Sequence, residues 1–129
     1  MNRTAITAAA LALAAALTAC SSGSSDDKPA AKPPAYEITH QDTSGNQRTV
    51  TVEVKTGKAL RAVFDDVAAK LTEDAGYFVQ INCATGGTSK VDNRLANGRK
   101  AVGNIGAAST GLDDGQTDYE AQQGRTCPA

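Results

Sequence analysis

The sequence predicts a small α+β domain: a mostly antiparallel four-stranded sheet in ββαββ order, with one amphipathic helix packed on one face. Three observations carry this expectation. Apolar residues alternate in three separate segments, which is the period of a half-buried strand. Between the second and third of these, the period switches to that of a helix. The chain has 129 residues, room for one domain and not for two of ordinary size.

The elements follow in chain order. Residues 36–40 (YEITH) alternate, with Tyr36, Ile38 and His40 expected on one face. Asp42, Thr43, Ser44, Gly45 and Asn46 supply turn chemistry. Residues 48–55 (RTVTVEVK) send Val50, Val52 and Val54 one way and Thr49, Thr51 and Glu53 the other. Together these segments read as a hairpin. In residues 60–73, Leu60, Val63, Phe64, Val67 and Leu71 form one apolar stripe at helical spacing. Arg61 with Asp65, and Asp66 with Lys70, are spaced for i,i+4 pairing on the outer side. Gly76 stands where a left-handed C-cap is expected.

Residues 76–83 (GYFVQINC) read as the third strand, with Tyr77, Val79, Ile81 and Cys83 opposed to Phe78, Gln80 and Asn82. A Gly/Thr/Ser loop over 84–92 follows, and Asn97-Gly98 is a strong turn signal. Residues 100–108 (KAVGNIGAA) are expected to form the fourth strand. Val102 and Ile105 have mismatched parity, so a bulge at Gly103 or Gly106 is needed. Beyond Thr110 the chain reads as a polar, Gly-rich tail that only Cys127 can pin. With the helix on one face, the other is expected to be polar and open, carrying Thr49, Thr51, Glu53, Phe78, Gln80 and Asn82.

Composition narrows the function classes. Thirteen Lys+Arg against fourteen Asp+Glu give a net charge of −1, which argues against a nucleic-acid partner. With no Trp, three Tyr and two Phe, a large aromatic-lined pocket is not expected.

Residues 1–19 have the layout of an export signal. Arg3 and the amino terminus are positive, and residues 5–17 are predominantly apolar but too short for a permanent membrane span. The run ends in Leu17-Thr18-Ala19-Cys20, which resembles the lipobox of bacterial lipoproteins. The resemblance implies that Cys20 carries diacylglycerol and becomes the first residue of the mature chain. It implies a location on the outer face of the cytoplasmic membrane. Two or three acyl chains hold a protein firmly, at about 0.8 kcal/mol per buried CH₂. Residues 21–35 (SSGSSDDKPAAKPPA) read as a flexible tether, with an r.m.s. span of about 20 Å if it behaves as a coil. The domain then occupies residues 36–129.

The cysteine count follows from that location. With Cys20 taken by lipid, Cys83 and Cys127 remain, and export puts them where a disulfide persists. The alternative is a reactive Cys83 with His40 as its base, in a thiol-redox protein or other enzyme.

Other constellations are weak. His40 is the single histidine and has no second one for a metal site. Residues 83–89 (CATGGTS) superficially resemble a phosphate cradle but are followed by no helix signature. Asp113, Asp114, Asp118 and Glu120 concentrate carboxylates without the EF-hand spacing. No Gly-x-Ser-x-Gly elbow is present. No cofactor and no metal are expected. Arg94, Arg99 and Lys100 are placed around the expected Asn97-Gly98 turn, where they can meet an anionic envelope polymer or lipid headgroup.

The lipobox, the Ser/Pro tether, the Ala/Gly/Thr/Asp-rich usage and the stretch GYFVQINCATGG through DNRLANGRKAVGNIGAA are similar to small actinobacterial lipoproteins. That resemblance implies location and broad class and assigns no activity. The expected function is a membrane-anchored extracytoplasmic module that binds an envelope protein or polymer and is not an enzyme. A purely structural surface lipoprotein is the third reading.

Overall fold

The computed structural model describes residues 32–128. The signal segment, Cys20 and tether residues 21–31 lie outside the described residues. The chain forms β1 (Tyr36–Gln41), β2 (Gln47–Val54), α1 (Leu60–Ala69), β3 (Ala75–Cys83), β4 (Asn93–Val102), α2 (Gly103–Thr110) and β5 (Thr117–Ala121). The strands make one sheet in the order β1-β2-β3-β4-β5. β2 and β3 run parallel, and the other neighbours are antiparallel. The α+β class is as expected, but the sheet is mixed, has five strands and is accompanied by two helices. The parallel pair arises because α1 returns the chain to the end where β2 began, which a tight turn cannot do.

The strongest periodic segments fold as they read. Val50, Val52 and Val54 of β2 and Tyr77, Val79, Ile81 and Cys83 of β3 are buried together with Val63, Phe64 and Val67 of α1. Arg61 pairs with Asp65 and Lys70 with Asp66, each at 3.0 Å. α1 ends at Ala69, earlier than its apolar stripe suggests, and Leu71 packs into the core from beyond it. Its C-terminus is capped from the sheet: the Lys100 ammonium donates to the Ala68 carbonyl at 2.6 Å, a cation at the negative end of the helix dipole.

The glycines account for the main departures. Gly76 is not a helix cap but a residue of β3. A side chain there would run into Ser109 and Thr110 of α2, so the glycine lets α2 lie against the sheet. Asn97-Gly98 is not a turn but the middle of β4, paired with Gln80 and Val79. A Cβ at Gly98 would fall inside the Phe64 ring, so glycine is there to admit the aromatic side chain. The expected strand over 100–108 stops at Val102. Gly103 takes φ +69° and starts α2, whose Gly106 packs on the Ala75 carbonyl and Ala101. The bulge in β4 falls instead at Leu95, between the pairs Ile81–Ala96 and Asn82–Arg94. The expected tail contains β5, which pairs with residues 96–100. Its Tyr119 ring lies 5.6 Å from that of Phe64.

His40 is also corrected. A register shift between Ile38 and His40 sets His40 opposite Thr51, away from the face of Tyr36 and Ile38. Cys83 and Cys127 come together at disulfide distance, with Cα atoms 5.4 Å apart. Buried Asn93 donates to the Thr85 and Thr126 carbonyls at 3.0 and 2.9 Å, holding the loop and the chain end beside that pair. Tyr36 and Cys83 both stand opposite Val54, so the start of the domain and the cysteine pair share one end of the sheet.

Three carboxyls are held below the usual carboxylate range. Asp42 accepts from the Thr49 backbone N–H and sits beside His40. Asp66 accepts from the Tyr36 hydroxyl and from Lys70. Asp118 accepts from Arg99. Folding therefore favours their ionised forms. The gain is complete above the ordinary carboxyl pKa of about 4 and is lost as pH falls through the lower folded values. The urea midpoint is expected to be flat from pH 7 to about 5 and to fall below about 4. A midpoint unchanged at about pH 3 would refute this.

Candidate functional site: the second face of the sheet

The strand register fixes which residues share the face opposite α1. Thr49, Thr51 and Glu53 stand beside Phe78, Gln80 and Asn82, which stand beside Arg99, Asn97 and Arg94. Arg99 and Asn97 in turn face Asp118 and Glu120 of β5. The face is polar, as expected, but it is not uniformly open. α2 covers its Gly76 end, and Asn82 is buried.

Arg94 organises this face. The Leu95 bulge changes the parity of β4 so that Arg94 falls opposite Asn82. Its Nε donates to Asn82 Oδ1 at 2.6 Å, Nη1 to Asn97 Oδ1 at 2.7 Å and Nη2 to Gln80 Oε1 at 2.8 Å. All three acceptors are neutral carboxamides, and no carboxylate pairs with Arg94 among the described residues. Burial lowers the guanidinium pKa, opposed by the charge of Asp92. The group stays protonated even so, because arginine does not lose its charge in proteins. A half-buried cation solvated by amide dipoles keeps an uncancelled charge. A guanidinium has five N–H groups, so one on each terminal nitrogen is left without a protein partner among the described residues.

Next to this cluster is a shallow depression of about 240 Å³ between Phe78, Gln80, Asn97, Arg99, Asp118 and Glu120. Arg99 is neutralised there: Nη2 donates to Asp118 Oδ2 at 2.6 Å and Nη1 to the Thr110 carbonyl at 3.0 Å. Glu120 is exposed and has no ion-pair partner among the described residues.

The three cations expected around one turn are therefore separated. They lie on one strand; Arg94 and Arg99 share a face, and Lys100 points to the other, beneath α1. With Glu53, Asp118 and Glu120 on the same face as the two arginines, there is no continuous basic patch for a polyanion or a lipid surface. Cys83 and His40 are not brought together either. Cys83 lies beside Cys127, whereas His40 bonds Asp42 Oδ1 at 3.0 Å. The 83–89 loop leads through residues 90–92 directly into a strand, and Thr88 and Asn93 use its polar groups internally. The acidic segment is spread over a turn and β5. Asp114 bonds the Gly103 N–H, and no metal-like cluster of three His, Cys, Asp or Glu occurs among the described residues. No helix among the described residues is long and apolar enough to cross a membrane.

The amide girdle of Arg94 was hidden in sequence. Gln80 and Asn82 are an i,i+2 pair that any strand displays, and Arg94 joins them only through a bulge that no local signal marks. Fold and site together define a small α+β domain with a two-helix, five-stranded framework and a polar, arginine-centred sheet face. Comparison of the chain with protein-family models, with curated proteins and with solved structures finds no match.

Proposed function

We propose that this protein is a lipid-anchored, extracytoplasmic binding module of the cell envelope. Diacylglycerol on Cys20 holds it to the outer face of the cytoplasmic membrane, and residues 21–35 act as the spacer. It binds an envelope component through the second face of its sheet and is not an enzyme. The observation that carries the binding role is Arg94, a half-buried cation whose three hydrogen-bond acceptors are all neutral amides and which has no ion-pair partner among the described residues. Such a charge is costly to maintain unless an external anion completes its pairing. The lipobox-like end of the export signal and the pairing of Cys83 with Cys127 support the location.

Two measurements test the reading. In a bacterial host that processes lipoproteins, labelled palmitate is expected to mark the full chain and to be lost with Cys20→Ser. An unmarked wild-type chain would refute the anchor. Immobilised full-length protein in detergent micelles is expected to retain an envelope component that Arg94→Ala does not. Equal retention by both would refute the role of this face, and no retention by either would favour a purely structural surface protein.

A further inference from the structure

The geometry points to a two-point site for a small zwitterionic peptide end, in which Arg94 takes a free carboxylate and Glu120 takes a free ammonium across β4 and β5. The inference rests on the binding role proposed for this face and names the chemistry of the ligand.

The carboxylate end follows from the donors. Nε, Nη1 and Nη2 of Arg94 each give one hydrogen bond to Asn82, Asn97 and Gln80, respectively. One N–H on each terminal nitrogen remains. Two N–H groups on adjacent nitrogens match the two oxygens of a carboxylate. The three carboxamides hold the fork in place without cancelling its charge.

The ammonium end follows from Glu120. It faces Asn97 across β4 and β5, and Asn97 is a direct partner of the guanidinium. Neighbouring strands are about 4.8 Å apart, and the guanidinium lies on the β3 side of Asn97 while Glu120 lies on its β5 side. Two peptide residues span at most about 7 Å, so a dipeptide with a hydrogen bond at each end reaches across Asn97 from one charge to the other. Asp118 is not available for this role because Arg99 occupies it. The depression opens beside these two points: Gln80, Asn97 and Glu120 line its near side, and Phe78, one row farther along the strands, gives its far side an apolar ring. At about 240 Å³ the depression is below the volume of drug-sized ligand sites and suits a short segment. The alternation of charge selects the class: Glu53 and Glu120, which have no ion-pair partner among the described residues, repel an anion that lacks a nearby cation.

The test uses the full-length protein in detergent micelles and titration calorimetry with alanyl-alanine, its C-terminal amide and its N-acetyl derivative. Free alanyl-alanine is expected to bind, and each capped form to bind about tenfold or more weakly, as loss of a charge-assisted hydrogen bond requires. Arg94→Gln removes the charge and the fork together, and is expected to abolish discrimination between the free and amide forms. Glu120→Gln is expected to abolish discrimination between the free and N-acetyl forms alone. Circular dichroism confirms that both variants are folded. Equal binding of the free and amide forms, or no binding of alanyl-alanine at about 10 mM, would overturn the inference. If an envelope component is still retained in an Arg94-dependent way, the binding role survives and only the ligand class is wrong. If neither is seen, both fail.

Discussion

Replacing Cys127 with serine is expected to lower the unfolding free energy by about 4 kcal/mol, given oxidised wild-type protein as the reference. The partners are 44 residues apart in sequence, and a cross-link closing a loop of that size removes about this much free energy from the unfolded chain. For a domain of this length the loss corresponds to a fall in melting temperature of roughly 15–30 °C. The native side of the equilibrium supports the estimate. Asn93 already holds the chain end at Thr126 and the loop at Thr85, so the cysteines need no rearrangement to meet. Thermal denaturation of wild type, of Cys127→Ser and of reduced wild type checks this. The last two should coincide. A variant that melts within a few degrees of oxidised wild type would show that the link contributes little.

The second large effect is at the contact of α1 with the sheet. Phe64→Ala is expected to cost about 3–5 kcal/mol. Phe64 is wholly buried, its ring lies over the backbone at Gly98 and beside Tyr119, and it brings α1, β4 and β5 into one core. No neighbour can fill the space. At Gly98 the chain carries no side chain, and Tyr119 is tied into the edge strand. The reciprocal change, Gly98→Ala, forces a methyl group into the ring and is expected to cost about 1–3 kcal/mol by overpacking. The two changes should not add. With Phe64 truncated, the new methyl enters the vacated volume, so the double variant is expected to be more stable than the sum of the single losses. Chemical denaturation of the four proteins reads this coupling directly, and strict additivity would refute the stacking of ring on glycine.

These two contacts also show where the sequence is legible. Val50, Val52 and Val54, the α1 stripe and the Tyr77 to Cys83 alternation each repeat a period several times. Burial of one face then follows with little dependence on the rest of the chain. The second half of the domain offers no such repetition. Asn97-Gly98 carries the local chemistry of a turn, yet the glycine answers to Phe64, a residue far away in sequence. Residues 103–110 are nearly all small, so neither period shows, and α2 forms because Gly76 and Gly106 permit helix and sheet to touch. β5 is short, polar and at an edge, with only Tyr119 to announce it. The candidate site suffers most. Arg94 was visible as a basic residue, but its face, its amide partners and its separation from Lys100 all depend on a one-residue bulge at Leu95. Register shifts of this kind reverse the side of every later side chain.

The shared position of Tyr36 and the cysteine pair opposite Val54 has a practical corollary for anyone labelling this molecule. A fluorophore placed at Pro128 therefore reports from the same end of the sheet as Tyr36, where the chain enters the domain. An epitope spliced into the Gly45 bend, at the far end of the β1–β2 ladder, is carried at the opposite end, well clear of that label.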